Sequence, residues 1–360
     1  MHFTIISLVF LTTLGSSAPV EKRQSDFSAN NSYFPLQNGF PNPSADQTRQ
    51  IETEAEGILP NGPPPPTLSP DGVTNLKLIA LNELFEVAYF SELVSNVSSK
   101  LPGYDLGRGH DYVLDALNAI VAQEQLHLLN ANGALKAFNQ LPIEPCKYSF
   151  PVTDFQSAIS LAATFTDVVL GTLQDVNQIF AQNGDFDLVR TVSSVIGNEA
   201  EQEGFYRLVQ SKRPASQPFL TTAARDFAFT AIQSFAVPGS CPNIGTIPLK
   251  TFKPLNVDTQ NIRPATQNLT FSFSKADAQT DDFSTLSLVY INAQNAPIVK
   301  SLENVRVEGD TVKCEAAFPF DEFLMHGLTI AAVTKGSGPF EGADKVAEVA
   351  IFGPGLIEVD

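Results

Sequence analysis

Glu124 and His127 are the residues of this chain whose types and spacing point most directly to chemistry. They stand three apart in a run, residues 111–138, whose other inward positions are Val113, Leu117, Ile120, Ala131, Ala134 and Phe138. Apolar residues at spacings of three and four mark one face of a helix. A carboxylate and an imidazole on that face cost free energy unless they are paired, protonated or bound to a metal. The i, i+3 spacing also turns both side chains the same way, which pre-orients them as ligands.

Three further runs must supply whatever faces this pair. Residues 73–98 carry the stripe Leu76, Ile79, Glu83, Glu86, Phe90, Leu93, Val97. Residues 154–182 carry Phe155, Ile159, Ala162, Thr166, Val169, Leu173, Val176, Phe180. Residues 186–210 carry Val192, Val195, Glu199, Gln202, Tyr206, Val209. Each stripe is apolar except for a polar step near its middle. Helices of these lengths span about 40 Å, and in an antiparallel four-helix bundle their mid-points meet at one level.

The segments NELFEVAYF, IVAQEQLHLL and IGNEAEQEGFYRLV, with the cysteine contexts EPCKYSF and GSCPN, carry a family resemblance. They resemble the ferritin-like four-helix bundles, and more narrowly the secreted fungal ferritin-like proteins of the stress-response and late-sexual-development type. The resemblance covers about residues 70–245. It implies a di-metal pattern with a Glu on each of two helices and Glu-x-x-His on each of the other two. On that pattern Glu83 or Glu86 is the first-helix carboxylate, Glu124 and His127 the second-helix pair, and Glu199 the fourth-helix carboxylate. Thr166, with Asp167 one step off the stripe, stands where the third-helix Glu belongs, and Gln202 where the second His belongs. Two of six expected ligands are altered, so the site is a degenerate form of the family's. The resemblance also implies a Cys146–Cys241 disulfide. Cys314 alternates with Val312 on an expected strand and is read as a buried thiol.

Two functional readings follow. In the first, this is an extracellular or cell-wall protein without an assigned reaction, associated with stress or development. Thr166 and Gln202 then hydrogen-bond the remaining carboxylates, some of them protonated. In the second, the residual carboxylate/His set binds iron or manganese and supports redox or Lewis-acid chemistry.

Around this core the chain divides into expected segments. Residues 1–18 read as a secretory signal and 19–23 as a short propeptide ending in Lys22-Arg23. Residues 24–71 read as an irregular arm ending in the proline run 63–66. The bundle occupies 72–240, with a fifth helix over 218–236 and His110 in a loop, and 241–265 is a connector. Asp111 is a candidate cap for the second helix, and Thr153 or Asp154 for the third. Residues 266–360 alternate in the manner of strands and predict a small antiparallel β-sandwich, so the class is multidomain α + β. Asn30, Asn96 and Asn268 open glycosylation sequons. The net charge of −17 disfavours nucleic acid and anionic membrane surfaces as partners and leaves wall or matrix components. No run long enough for a membrane anchor follows the signal.

The secretory reading has a direct check. Protein recovered from culture medium should begin near Gln24, and glycosidase treatment should lower its mass. Recovery only from cell lysate, with Met1 in place, would refute it.

Overall fold

A computed structural model describes residues 33–360. The expected signal, Lys22-Arg23 and Asn30 lie outside the described residues.

The expected arm is not irregular throughout. Ser44 closes a capping box with Gln47 and starts helix α1, Ala45–Glu54. Ile51 within it and Ala55 at its C-terminal end pack with Ala122. Ahead of α1, Phe34 and Phe40 are buried in the bundle core, Tyr33 donates a hydrogen bond to Glu92, and Asn38 Nδ2 donates to Gln125 Oε1 at 2.8 Å. The abundance of Pro and Asn hid this packing, because only three or four apolar residues carry it.

Four long helices form the bundle: α2 Pro70–Ser98, α3 His110–Ala137, α4 Phe155–Gln182 and α5 Phe186–Val209. Ser69 caps α2 ahead of Pro70, whose missing N–H costs nothing at that position. Asp154 starts α4 with a capping box to Ser157. Asp111 does not cap α3. It sits in the first turn, where its charge suits the helix dipole. His110 is not a loop residue but the first residue of α3, and it is buried.

The helices are not simply alternating. The Phe155 N–H donates to Gly103 O at 3.0 Å, so α4 begins beside the loop that precedes α3, and these two helices run parallel. Residues 138–154 therefore cross the length of the bundle, the connection found in ferritin-like topologies. The crossover is fastened at several points. Asn132 bonds both the N–H and the carbonyl of Ile143, Tyr148 bridges to Ala236, and Cys146 is disulfide-bonded to Cys241.

The expected fifth helix is shorter, α6 at Arg225–Gln233. Residues ahead of it run extended across α4 at Gly171, where the Ala223 N–H donates to the Gly171 carbonyl at 3.2 Å. A Cβ at Gly171 would lie 2.4 Å from the Thr221 carbonyl oxygen, so only glycine permits this crossing.

The C-terminal domain holds two antiparallel four-stranded sheets. One has the order β1 (Asn256–Val257), β2 (Gln267–Ser274), β6 (Thr311–Phe318), β5 (Glu303–Glu308). The other has β4 (Ile298–Ser301), β3 (Leu286–Asn292), β7 (Gly327–Lys335), β8 (Ala350–Val359). Short helices α7, Phe320–Phe323, and α8, Ala343–Val349, flank β7. Every residue of β3 is buried. Leu288 and Tyr290 face the sheet that holds β2 and β6, whereas Val289 and Ile291 pack with Val168 of α4 and Phe227 of α6. An apolar layer thus joins the sheets to the bundle. β5 is exposed along its length and carries Glu303, Arg306 and Glu308, charges that discourage edge pairing. β8 escapes the alternation pattern because Gly353-Pro354 interrupts it, at a shift in the β7–β8 register.

Cys314 is fully buried, and burial pushes its thiol up to about 12. Ellman's reagent should therefore find no thiol in the native protein and one per chain in guanidinium, rising to three after reduction. Breaking the Cys146–Cys241 bond, which closes 95 residues, should cost about 4–5 kcal/mol in the chain-entropy account, read as a lower denaturant midpoint.

Candidate metal centre

The mid-helix polar steps do meet. One ligand atom from each of Glu83 on α2, Glu124 and His127 on α3, and Glu199 on α5 lie within 4.8 Å of one another. The three carboxylates are almost wholly buried, and the His127 side chain is 14% exposed. His127 Nδ1 is 2.9 Å from Glu124 Oε2 and 3.6 Å from Glu83 Oε2. Only the first is a hydrogen bond.

The sequence left Glu83 and Glu86 as alternatives on α2. Glu83 is the one that converges with the others, and Glu86 lies outside the tight group. Its Oε2 instead accepts from Asn82 Nδ2 at 2.8 Å. Asn82 was not singled out from sequence, although its i, i+4 spacing to Glu86 is a readable signal.

Thr166 does not act as expected, whereas Gln202 does so in part, since its side chain helps hold the Glu124 carboxyl down. Thr166 is buried, but its hydroxyl has no partner, so it does not bond a site carboxylate. Gln202 spends its amide on Gln123 Oε1 at 3.1 Å and Asn198 Oδ1 at 3.3 Å, and accepts from Tyr206. This amide network joins α3 to α5 and leaves no second imidazole. Asp167 faces elsewhere, toward a separate charged group with Glu203, Arg207 and Asp360. There burial pushes its carboxyl up to about 6 against the pull of Arg207, and Arg207 Nη2 bonds Asp360 at 2.7 Å.

The electrostatics of the cluster follow from burial. Both oxygens of Glu83, both of Glu199, and Oε1 of Glu124 are buried without a hydrogen-bond partner. Desolvation pushes Glu83 up to about 8, with His127 opposing. Desolvation, then the neighbouring carboxylates, raise Glu86 and Glu199 well above the usual range. Glu124 goes the other way: burial would raise it, but the charge and hydrogen bond of His127 bring it below its ordinary value. Burial opposes charge on His127, yet Glu124 and then Glu83 outweigh it and hold the imidazole protonated well above its ordinary range.

A family model described as a ferritin-like domain matches residues 75–212. The match spans α3, α4, α5 and most of α2, and with them all four converging ligands, so this part of the chain is a ferritin-like domain. No curated protein matches the chain.

These shifts predict a pH dependence for chelator-treated protein. Glu83 binds its proton up to about pH 8 when folded, against an ordinary 4.5, and His127 is raised likewise. Between those limits the native state holds more protons than the unfolded chain, so stability falls as pH rises. The melting temperature should drop by several degrees from pH 5.5 to pH 8. Glu83→Gln should shrink that drop.

Proposed function

We propose that this is a secreted ferritin-like protein that binds one divalent transition metal, iron or manganese, on Glu83, Glu124, His127 and Glu199. The observation that carries the reading is the set of five carboxylate oxygens buried with no donor. An unpartnered buried acceptor costs about 1–3 kcal/mol, and more when charged. A cation shared by those oxygens removes that cost, and a mixed oxygen–nitrogen set suits iron, manganese or zinc. Such a metal supplies Lewis acidity or one-electron chemistry. The protein's own part is to hold the ligands. Glu124 orients the imidazole through its 2.9 Å bond, and Asn82 keeps Glu86 turned to its own amide.

One metal is favoured over two because α4 offers only a hydroxyl at Thr166 and the Gln202 amide is already committed. In this reading the centre is a reduced form of a two-metal site. Secretion is supported by the apolar segment that precedes Lys22-Arg23 and by a disulfide, a bond that persists in oxidising compartments. Of the sequons, Asn268 is exposed and Asn96 half-buried. The resemblance to fungal stress and developmental proteins is the ground for reading its location as the wall or matrix.

Anaerobic titration with Fe(II), and Mn(II) titration followed by electron paramagnetic resonance, should count one site per chain. Glu124→Ala with His127→Ala should abolish it, and Glu83→Ala or Glu199→Ala should weaken it at least tenfold. Gln202→His with Thr166→Glu should raise the count toward two. A parent protein that binds neither metal would overturn the proposal.

A further inference from the structure

Beside the carboxylate cluster the bundle is not filled. A cavity of about 650 Å³ runs from Glu83 and His127 toward the end where α3 and α4 finish and α5 begins. Packed cores rarely leave voids much larger than a water, and this volume falls in the range of small-molecule sites, roughly 300–1,000 Å³. Along α3 it reaches from His127 to Ala137, about 15 Å at the helical rise. It is therefore long, and its axis follows the helices.

The walls are mainly aliphatic, with Asn130, Asp187 and Thr191 as polar positions among them. Leu76 and Ile79 come from α2, Leu173 from α4, and Val192 and Val195 from α5. On α3 the cavity is bounded by Ala131, Ala134 and Ala137, which withhold the bulk that would fill it. The outer wall is the segment from Leu59 to Pro66. Its ends are held, Leu59 N–H by Glu52 at 3.2 Å and Ser69 by Asp185 at 2.9 Å. Between them, residues 60–66 form no hydrogen bond among the described residues, as expected of prolines that lack a donor. The end of the segment read from sequence as an irregular arm thus covers this chamber.

The inner end of the chamber is polar. Glu83 lines it, is 1% exposed, and has two oxygens without a donor. In the metal-free protein, a molecule filling the chamber satisfies that end only with a hydrogen-bonding group. A charged head of either sign would add an unpaired buried charge beside the Glu124–His127 pair, whereas a neutral hydroxyl can donate or accept there, so a hydroxyl fits and a carboxylate does not.

We propose that this cavity binds a linear aliphatic alcohol, its chain along the helices beneath the proline lid and its hydroxyl against Glu83 and His127. Binding needs no metal, so the test uses chelator-treated full-length protein and is read separately from the manganese count. Calorimetric titration with decanol should give one site per chain. Ala134→Phe and Val192→Phe, which fill the chamber from α3 and from α5, should each weaken binding at least tenfold with circular dichroism unchanged. If one of them fails to fold, the other decides. Decanoate at pH 8 should bind at least tenfold more weakly than decanol. Absence of saturable decanol binding, or affinity indifferent to a folded wall variant, would overturn the proposal. Decanoate binding as tightly as decanol would overturn the end-group assignment.

Discussion

Four carboxylates and one imidazole share the centre of an apolar bundle, and the remainder of the helical domain is arranged around that cost. Water would relieve it, but the surrounding side chains keep water from Glu83, Glu124 and Glu199. Only Glu124 finds a strong protein partner, through His127. Glu83 and Glu199 are held toward the neutral form, because desolvation outweighs every other influence on them. Such an arrangement persists only where the scaffold over-determines it. The amide network of Gln123, Asn198 and Gln202 and the Asn82–Glu86 bond restrain the helices at this same level.

The two halves of the bundle differ in how they are filled. On one side of the cluster an aromatic block fills the core. Phe85 meets Phe165 at 5.0 Å between ring centroids, Tyr89 meets Phe150 at 4.9 Å, and Phe90 stacks on Tyr206 at 5.6 Å. Phe150 belongs to the crossover, so the disulfide at Cys146 and the bridge at Tyr148 fasten the segment that completes this block. On the other side the helices present Ala, Val and Leu, and the chamber opens. The first half is close-packed, and the second leaves open space beside Glu83 and His127. The sheets pack on α4 and α6 through Val168, Phe227 and Val289.

Much of this was legible from residue types and spacing. The i, i+3 and i, i+4 stripes locate α2 to α5 closely, because a buried helix face must repeat with the helical period. A polar residue in the middle of each stripe is costly enough that its presence predicts convergence. Alternation found six strands, and β6 shows why it works: one face of that strand is buried and the other is not. It missed β8, where Gly353-Pro354 breaks the period, and the two-residue β1, which lies in the segment read as a connector; helical periodicity missed α1, which lies in a Pro- and Asn-rich stretch.

Sequence by itself determined that Glu124 and His127 share a helix face and that Glu83, Glu86 and Glu199 lie at matching levels, since these follow from local geometry. It could not choose Glu83 over Glu86, because three residues along one helix differ by only about 60° of azimuth, and the angle at which α2 meets α3 selects between them. It could not show that Gln202 serves an amide network while Asp167 turns to Arg207, for those partners lie on other helices. Nor could it reveal the chamber. A cavity is the difference between the side-chain volume supplied and the space the backbones enclose, and only the packed helices, with the proline segment laid across them, fix that space.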